Sequence, residues 1–460
     1  MPEDAALNAN RAPSSRRMIA IPLLLFLGVE IALVYIVSLG DLRGHVTQFW
    51  YGAFAASLLY GGAVLWVLHR REGSTRFILL AALLFRLTMW NSPASLSDDI
   101  YRYIWDGRVQ LHGINPYRYA PDAPQLLPLR NDLHAQINHR EVPTIYPPLA
   151  QLFFLAAAAV REHPATIKLG LIAFDFALCL LLSRLLTLRQ QDPRRVLLYA
   201  WHPLPLVEIA GSGHIDALGI FFLMLALYAL VASRKKAAAC ALAAAVLSKL
   251  VPALLLPIFW KLSGSTRYTS LRDLVHLEGR LPVFCFPLLC LLGLLPYAGV
   301  GSDMVAGLNT YLRHWHFNDF IYSALRDALQ VIDPAAALHA RWLCTALLLS
   351  TVYYTVKNTV DPIRAAFWLM GAYTLLSPTL HPWYVLWILP FMPFFCRWPW
   401  ILFAALVLLA YEVLIDYSLT GVWSEKNWVK WAQYGPFYLT LAAESLYSYQ
   451  KSNPERPRSV

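Results

Sequence analysis

Charge is what this sequence has least of. Asp, Glu, Lys and Arg make up 14% of its 460 residues, against about a quarter in an ordinary soluble domain. Too little charge is present to clothe a soluble fold, and the 58% of hydrophobic residues fall in runs of spanning length, so the chain reads as a polytopic membrane protein. Cysteines are also few. All six (Cys179, Cys240, Cys285, Cys290, Cys344 and Cys396) lie in or beside apolar runs without metal-ligand spacing, so they read as packing residues and imply no disulfide framework. No internal repeat is evident, and no large soluble α/β domain offers a Gly-rich turn to cradle a dinucleotide-like donor. The opening "MPEDAALNANRAPSSRRM" lacks a small-residue cleavage signature after the next apolar run and reads as a cytoplasmic tail, not a removable signal. The net charge of +10 does not point to nucleic acid, because Lys and Arg sit mainly in short connectors, where positive charge sets orientation.

What is there is a series of apolar runs. They predict spans near residues 18–39, 49–68, 76–90, 167–188, 196–210, 215–232, 237–250, 251–260, 281–297, 338–356, 363–376, 382–395, 400–415 and 434–446, several of them short. Pro252, Pro257, Pro390 and Pro393 are expected to kink or split their helices. The expected fold is therefore an all-α transmembrane bundle of about 12–14 spans. Five stretches divide it: a cytoplasmic tail over 1–17, N-terminal transmembrane helices over 18–90, an outer-face loop with juxtamembrane helices over 91–166, the main bundle over 167–448 and a second cytoplasmic tail over 449–460.

Positive charge fixes the sides. The connectors "HRREGSTR", "LRQQDPRR", "SRKK", "WKLSGSTRYTSLRDLVHLEGR" and "VKNTVDPIR" all fall on the side of the N-terminal arginines if the spans alternate. This requires residues 146–160 to form a helix lying at or dipping into the outer surface. Residues 91–145, 211–219, 313–320 and 376–384, all polar and aromatic-rich, then share the outer face. In a bacterium that face of the inner membrane is the periplasmic one.

The densest polar motif is "SLSDDIYRYIWDG", Ser95 to Gly107. Ser97 is a plausible helix N-cap, with Asp98 and Asp99 in the first turn, where carboxylates suit the helix dipole. Capping accounts poorly for three acids and an arginine within nine residues. Helical spacing puts Ile100, Tyr103, Ile104 and Leu111 on one face and Asp99, Arg102 and Asp106 on another, so the helix is expected to lie flat on the membrane with its charged face toward a cavity. The Pro- and Tyr-rich chain that follows is too long to be an idle connector. His214 and Asp216 flank Ile215 at an outer junction, where His is a donor to an anion and Asp its orienter, although i, i+2 spacing points them apart on a regular helix. Lys249 lies in "ALAAAVLSKLVPALLL", where an ammonium needs a partner, a watery cavity or a route to the headgroups; a phosphate suits it. His314 and His316, near Asn318 and Asp319, are candidate metal ligands for which spacing fixes no third partner. Trp383 and Tyr384 fit an interfacial aromatic belt; His381 does not.

These residues carry a resemblance. "SDDIYRYIWDGRVQLHGINPYRYAP", "TIYPPLAQ", "EIAGSGHIDAL", "LSKLVPALLLP" and "LSPTLHPWYVLWILP" together resemble the bacterial mannosyltransferase-type branch of the GT-C glycosyltransferases, membrane enzymes that use polyprenyl-phosphate sugars. The likeness runs from about Leu80 to Leu389, and the first two spans are additional to the usual arrangement. It implies transfer of a hexose, with mannose favoured, from a polyprenyl-phosphate donor to a lipid or glycan acceptor among membrane lipids. By the same resemblance Asp98 and Asp99 stand at the reaction centre, and Arg102, Tyr103, Asp106, Tyr146, His214, Asp216, Lys249, His381, Trp383 and Tyr384 surround the donor phosphate or substrate. It implies no certain cofactor and leaves a divalent metal open. The rival class is a lipid-linked sugar flippase or transporter, which also favours broken helices and an intramembrane lysine. Against it stand the lack of paired interrupted helices in two similar halves and the gathering of polar motifs on one side.

Overall fold

The chain begins with two apolar helices, α1 (Ser15–Ser38) and α2 (Val46–Arg70), joined by a single turn of 3-10 helix at Leu42–His45. The structure is a computed structural model that describes residues 15–70, 73–263 and 284–452. Most of the N-terminal tail, the end of the C-terminal tail, the greater part of the "WKLSGSTRYTSLRDLVHLEGR" connector and the start of the span expected at 281–297 therefore lie outside the described residues.

Helix α3 (Thr75–Trp90) packs against α1 and leads into α4 (Asp99–Leu111), α5 (Pro148–Val160) and α6 (Pro164–Leu188). Past an irregular stretch come α7 (Asp216–Val231) and α8 (Lys235–Ser248), an antiparallel pair packed along its length. Among the described residues the regular structure is wholly helical, apart from an isolated bridge between Phe317 and Thr379. One apolar core runs from Val29 in α1 to Phe437 near the C-terminus. Outward-facing Leu24, Ile31, Leu58 and Leu80 are left exposed, as lipid-facing side chains are.

Helical segments occur at every one of the expected spans, yet only four helices among the described residues are long and apolar enough to cross a membrane unaided: Ile21–Ser38, Leu42–Arg70, Pro164–Leu188 and Trp398–Thr420. A bent pair, Cys285–Tyr297 and Gly301–His314, meets at 109°. The others are short or broken, and prolines explain much of this, since each removes a donor and crowds the preceding turn. Pro252 stands in the 3-10 turn Val251–Leu255, and Pro382, Pro390 and Pro393 divide 382–395 into two 3-10 turns and a helical turn. Residues 193–211 pass through 3-10, α and finally π geometry at Leu206–Gly211.

A buried polar knot ties α3 to α6. Arg86 donates to Asp175 at 2.7 Å and to the Ala82 and Ala200 carbonyls at 2.9 Å, and Tyr199 donates to Asp175 at 2.5 Å. With every strong donor and acceptor satisfied, a charge this deep becomes tolerable.

The two ends of the bundle differ. α6 is 25 residues long, about 37 Å at helical rise. Near its start Lys168 donates to the carbonyls of Trp90 and Ser92, closing the end of α3. Past its far end Arg189 makes a two-pronged pair with Asp361, and Arg195 donates to the Pro393 carbonyl. The arginine-rich connectors thus lie at the end opposite the one that holds α4.

Helix α4 departs from the flat, half-exposed placement expected for it. Ile100, Tyr103 and Ile104 are buried as foreseen, but so are Arg102, Trp105 and Asp106, while Leu111 is exposed. The cause is cover on both sides. α5 packs along one face so closely that a Cβ at Gly107 would come 2.4 Å from the Phe154 carbonyl oxygen, and the long segment that follows folds over the other, where Leu126, Leu129 and Ile137 close a separate small core on Trp105 and Val109.

Candidate active site

Ser97 Oγ accepts the Asp99 backbone N–H at 3.3 Å, so the serine takes the capping task, and the Asp98 carboxylate makes no capping hydrogen bond. Asp98 is free to face elsewhere, and Arg43 Nη1 reaches it at 3.3 Å from the α1–α2 turn. In the same turn the Leu42 N–H donates to Ser95 Oγ at 2.9 Å. Burial pushes the Asp98 carboxyl up, with Arg43 opposing and Asp41 adding to the rise.

Asp99 opens α4. Burial, opposed by Lys249 and assisted by Asp216 and Asp98, lifts its carboxyl from 3.8 to about 6. That value suits a group required to take up and release a proton near neutrality. His214 Nδ1 lies 3.7 Å from Asp99 Oδ2. The turn carrying His214 approaches α4 through Gly213, whose φ of +80° and contact with Ile100 (2.7 Å from a Cβ built there) leave room only for glycine.

The His214 ring stacks on Trp383 at 3.8 Å between centroids, and Trp383 stacks on His381 at 4.3 Å. Two histidines and a tryptophan from distant parts of the chain thus form one column. Asp216, at the start of α7, turns the other way, as the i, i+2 spacing foretells: it accepts from Lys249 Nζ at 2.7 and 2.8 Å and from Trp387 Nε1 at 2.6 Å. Lys249 stands just beyond the end of α8 with an extended backbone, its side chain one-fifth exposed and its ammonium 4.6 Å from the Tyr384 ring centroid. Tyr384 in turn bonds Tyr311 through their hydroxyls at 2.6 Å. The lysine therefore has a partner as well as partial access.

Asp98, Asp99, His214, Asp216, Lys249, His381, Trp383 and Tyr384 gather at one end of the bundle. Tyr103 and Tyr146 form their floor, Tyr103 lying flat on Phe154 at 4.6 Å and edge-on to Tyr146 at 5.0 Å. Arg102 and Asp106 turn instead into the fold. They pair at 2.9 Å; Arg102 donates to the Val142 carbonyl, and Asp106 accepts from Thr144 and Gln151, which clamps the long loop onto α4.

Four neighbours escape the sequence reading. Arg43 hides in a short connector. Trp387 looks like one more belt aromatic, and Tyr311 like part of a loop. Glu208 carried the best signal, a lone carboxyl inside the apolar run before "AGSGHID": it is fully buried and accepts from Tyr411 Oη at 2.9 and 2.8 Å.

A divalent cation does not fit these residues. Asp98 is already engaged by a guanidinium, Lys249 stands nearby, and no three His, Cys, Asp or Glu side chains converge as ligands among the described residues. His316 lies 4.0 Å from Asp319, with no third ligand beside them among the described residues.

A helical membrane bundle that gathers carboxylates, a paired lysine and stacked aromatics at one end has the make-up of an integral membrane transferase. The particular family follows from comparison. Residues 23–263, more than half of the chain, match the family model described as alpha-(1->6)-mannopyranosyltransferase, N-terminal domain, and the chain belongs to that family. It is a mannosyltransferase. The match starts inside α1, so the two helices that looked additional belong to the family's own domain, and it takes in Asp98, Asp99, His214, Asp216 and Lys249. It lends no support to a flippase. No curated protein and no solved structure matches the chain.

Proposed function

We propose that this mannosyltransferase takes mannose from a polyprenyl-phosphate carrier and passes it to a lipid or glycan acceptor at the outer face of the bacterial inner membrane. The observation that carries the reading is the placement of Asp99 beside His214 and the Asp216–Lys249 pair at the end of the bundle opposite the arginine-rich connectors. Those connectors mark the cytoplasmic side, so the site faces away from the nucleotide sugars made inside the cell. A sugar that arrives there must be carried across, and a polyprenyl tail stays in lipid while its phosphate lies at the depth of Lys249.

In this reading the acceptor hydroxyl attacks the anomeric carbon and gives its proton to Asp99. Asp98 steadies the oxocarbenium-like charge. The departing phosphate is already a stable leaving group and needs a cation rather than a strong acid. Lys249, oriented by Asp216 and Tyr384, supplies that charge, and His381 adds a donor. Arg102 and Asp106 position the loop.

The test supplies purified full-length protein with radiolabelled mannose on polyprenyl phosphate or on a nucleotide, together with an acceptor extract from the same membranes. Transfer from the lipid-linked donor, weakened in Lys249→Ala, is the expected result. Efficient transfer from the nucleotide sugar with no lipid carrier present overturns the reading.

A further inference from the structure

One buried group has no part in the transfer just described. Glu208 is fully buried, and its polar contacts are the hydroxyl of Tyr411 and the imidazole of His214, whose Nε2 lies 3.4 Å from Glu208 Oε2. Among the described residues both ring nitrogens of His214 are buried without a hydrogen-bond partner, Nδ1 facing Asp99 Oδ2 at 3.7 Å. An imidazole left unsatisfied between two carboxylates is expensive to bury unless it is used. Local backbone geometry puts it there. The π-helical turn Leu206–Gly211 widens the chain, and the His214 N–H donates to the Glu208 carbonyl at 3.0 Å, which brings the two side chains together; π turns of this kind recur at functional sites. Trp383, stacked on the ring, fixes its plane.

We propose that Asp99, His214 and Glu208 form a proton relay, in which His214 and Glu208 draw off the proton that Asp99 takes from the acceptor. The inference rests on the reading of Asp99 as the base. Once protonated, Asp99 loses its negative charge at the moment when positive charge grows on the sugar. A relay restores it. The acceptor O–H bond breaks and its proton passes to Asp99; the new bond from acceptor oxygen to anomeric carbon forms as the bond to the phosphate oxygen breaks, its electron pair leaving with the phosphate. Asp99 hands its proton to Nδ1 of His214, while Nε2 gives its own proton to Glu208, which enters the step as the carboxylate that accepts from Tyr411, so the imidazole ends neutral. When products leave, the protons move back and one is released to water at Asp99, a quarter of whose side chain is exposed. The contacts of 3.4 and 3.7 Å are longer than a proton transfer needs, so the relay requires them to close to hydrogen-bond reach as the proton moves. His214 and Glu208 are thus positioning and relay residues and need not touch the sugar.

The test uses full-length protein in proteoliposomes with the lipid-linked mannose donor and membrane acceptor extract. Glu208→Gln keeps the shape and an acceptor for Tyr411 but cannot take up the proton. It should lower kcat by about a hundredfold, the usual worth of an acid/base group, with KM for the donor unchanged. His214→Ala should be similarly slow and regain activity in added imidazole, which a merely structural histidine would not do. Glu208→Gln with at least half the normal kcat overturns the relay, as does a slow Glu208→Gln accompanied by a His214→Ala variant that imidazole does not rescue. An Asp99→Asn variant in the same assay separates the two ideas: near-normal transfer there removes the base itself, whereas inactive Asp99→Asn beside active Glu208→Gln removes only the relay.

Discussion

Asp99 makes pH the sharpest probe of this site. Its carboxyl, raised to about 6 by burial, must be ionised to accept a proton, so activity is present above that value and is lost as pH falls through it. With a midpoint near 6 the ionised fraction is about nine-tenths at pH 7 and about one-tenth at pH 5, so kcat/KM should drop roughly tenfold between them. An ordinary aspartate, at 3.8, would leave the rate flat over that range. The two members of the neighbouring ion pair push the midpoint in opposite directions. Lys249 holds it down and Asp216 holds it up, so Lys249→Met should move the acid limb to higher pH and Asp216→Asn to lower pH, whatever either does to the maximal rate. The assay is the initial rate of radiolabelled mannose transfer in proteoliposomes from pH 4.5 to 8 (roughly the range over which a base near neutrality titrates), each profile normalised to its own plateau. A flat wild-type profile down to pH 5, or limbs that shift in the same direction in both variants, refutes the assignment of Asp99 as the titrating base.

Two other outcomes are expected. Gly107→Ala must part α4 from α5, because its Cβ would meet the Phe154 carbonyl oxygen at 2.4 Å and the Ala158 Cβ at 2.7 Å; thermal unfolding in detergent should show a loss of about 1–3 kcal/mol, the usual cost of overpacking, and a melting point equal to wild type would contradict the close contact. In a chain freed of its six native cysteines, single cysteines at the exposed positions Asp132 and Ser302 should react with an impermeant thiol reagent in intact cells, whereas one at the exposed Ser233 should not; labelling of all three would overturn the outer-face placement of the site.

Much of the fold was legible because a membrane imposes a simple code. Apolar length gives the span, so α2, α3, α6, α7 and α8 end within a few residues of where hydropathy puts them. The motif positions were legible for a related reason: a carboxylate or ammonium in an oily chain is conspicuous, and Asp99, Asp216 and Lys249 meet at one site. What did not show is which charges serve the fold. Arg102 and Asp106 belong to the same pattern as Asp99, yet they face Val142, Thr144 and Gln151, partners some forty residues away that helical spacing says nothing about. Trp387 was hidden by abundance, since aromatics are 13% of the chain and only the structure shows one indole donating to Asp216. The path of 193–211 was hidden too, because a π turn has no hydropathy signature, and it is this turn that brings Glu208 to His214.

The irregular backbone and the site are connected by more than proximity. At membrane depth, exposed peptide groups are tolerated only where protein covers them or where they line a polar cavity. The chain between Leu206 and Asp216 is buried throughout and leaves regular α geometry just where it passes α4. The same departure occurs at Pro382–Trp387, which carries Trp383, Tyr384 and Trp387. A straight helix in either place would point successive side chains around a cylinder; the tighter and wider turns instead aim His214 and Trp383 at each other and Trp387 at Asp216. The α1–α2 hairpin completes the enclosure from the opposite side, where its turn binds Ser95 through a backbone N–H and Asp98 through Arg43. These two helices lie within the matched family domain from residue 23 onward, and this contact gives them a physical role: they deliver a cation that touches Asp98, while the charge of Lys249 acts on Asp99. Each carboxylate thereby has its own counter-charge on a different structural element, which tempers the mutual repulsion by which Asp98 adds to the rise of Asp99.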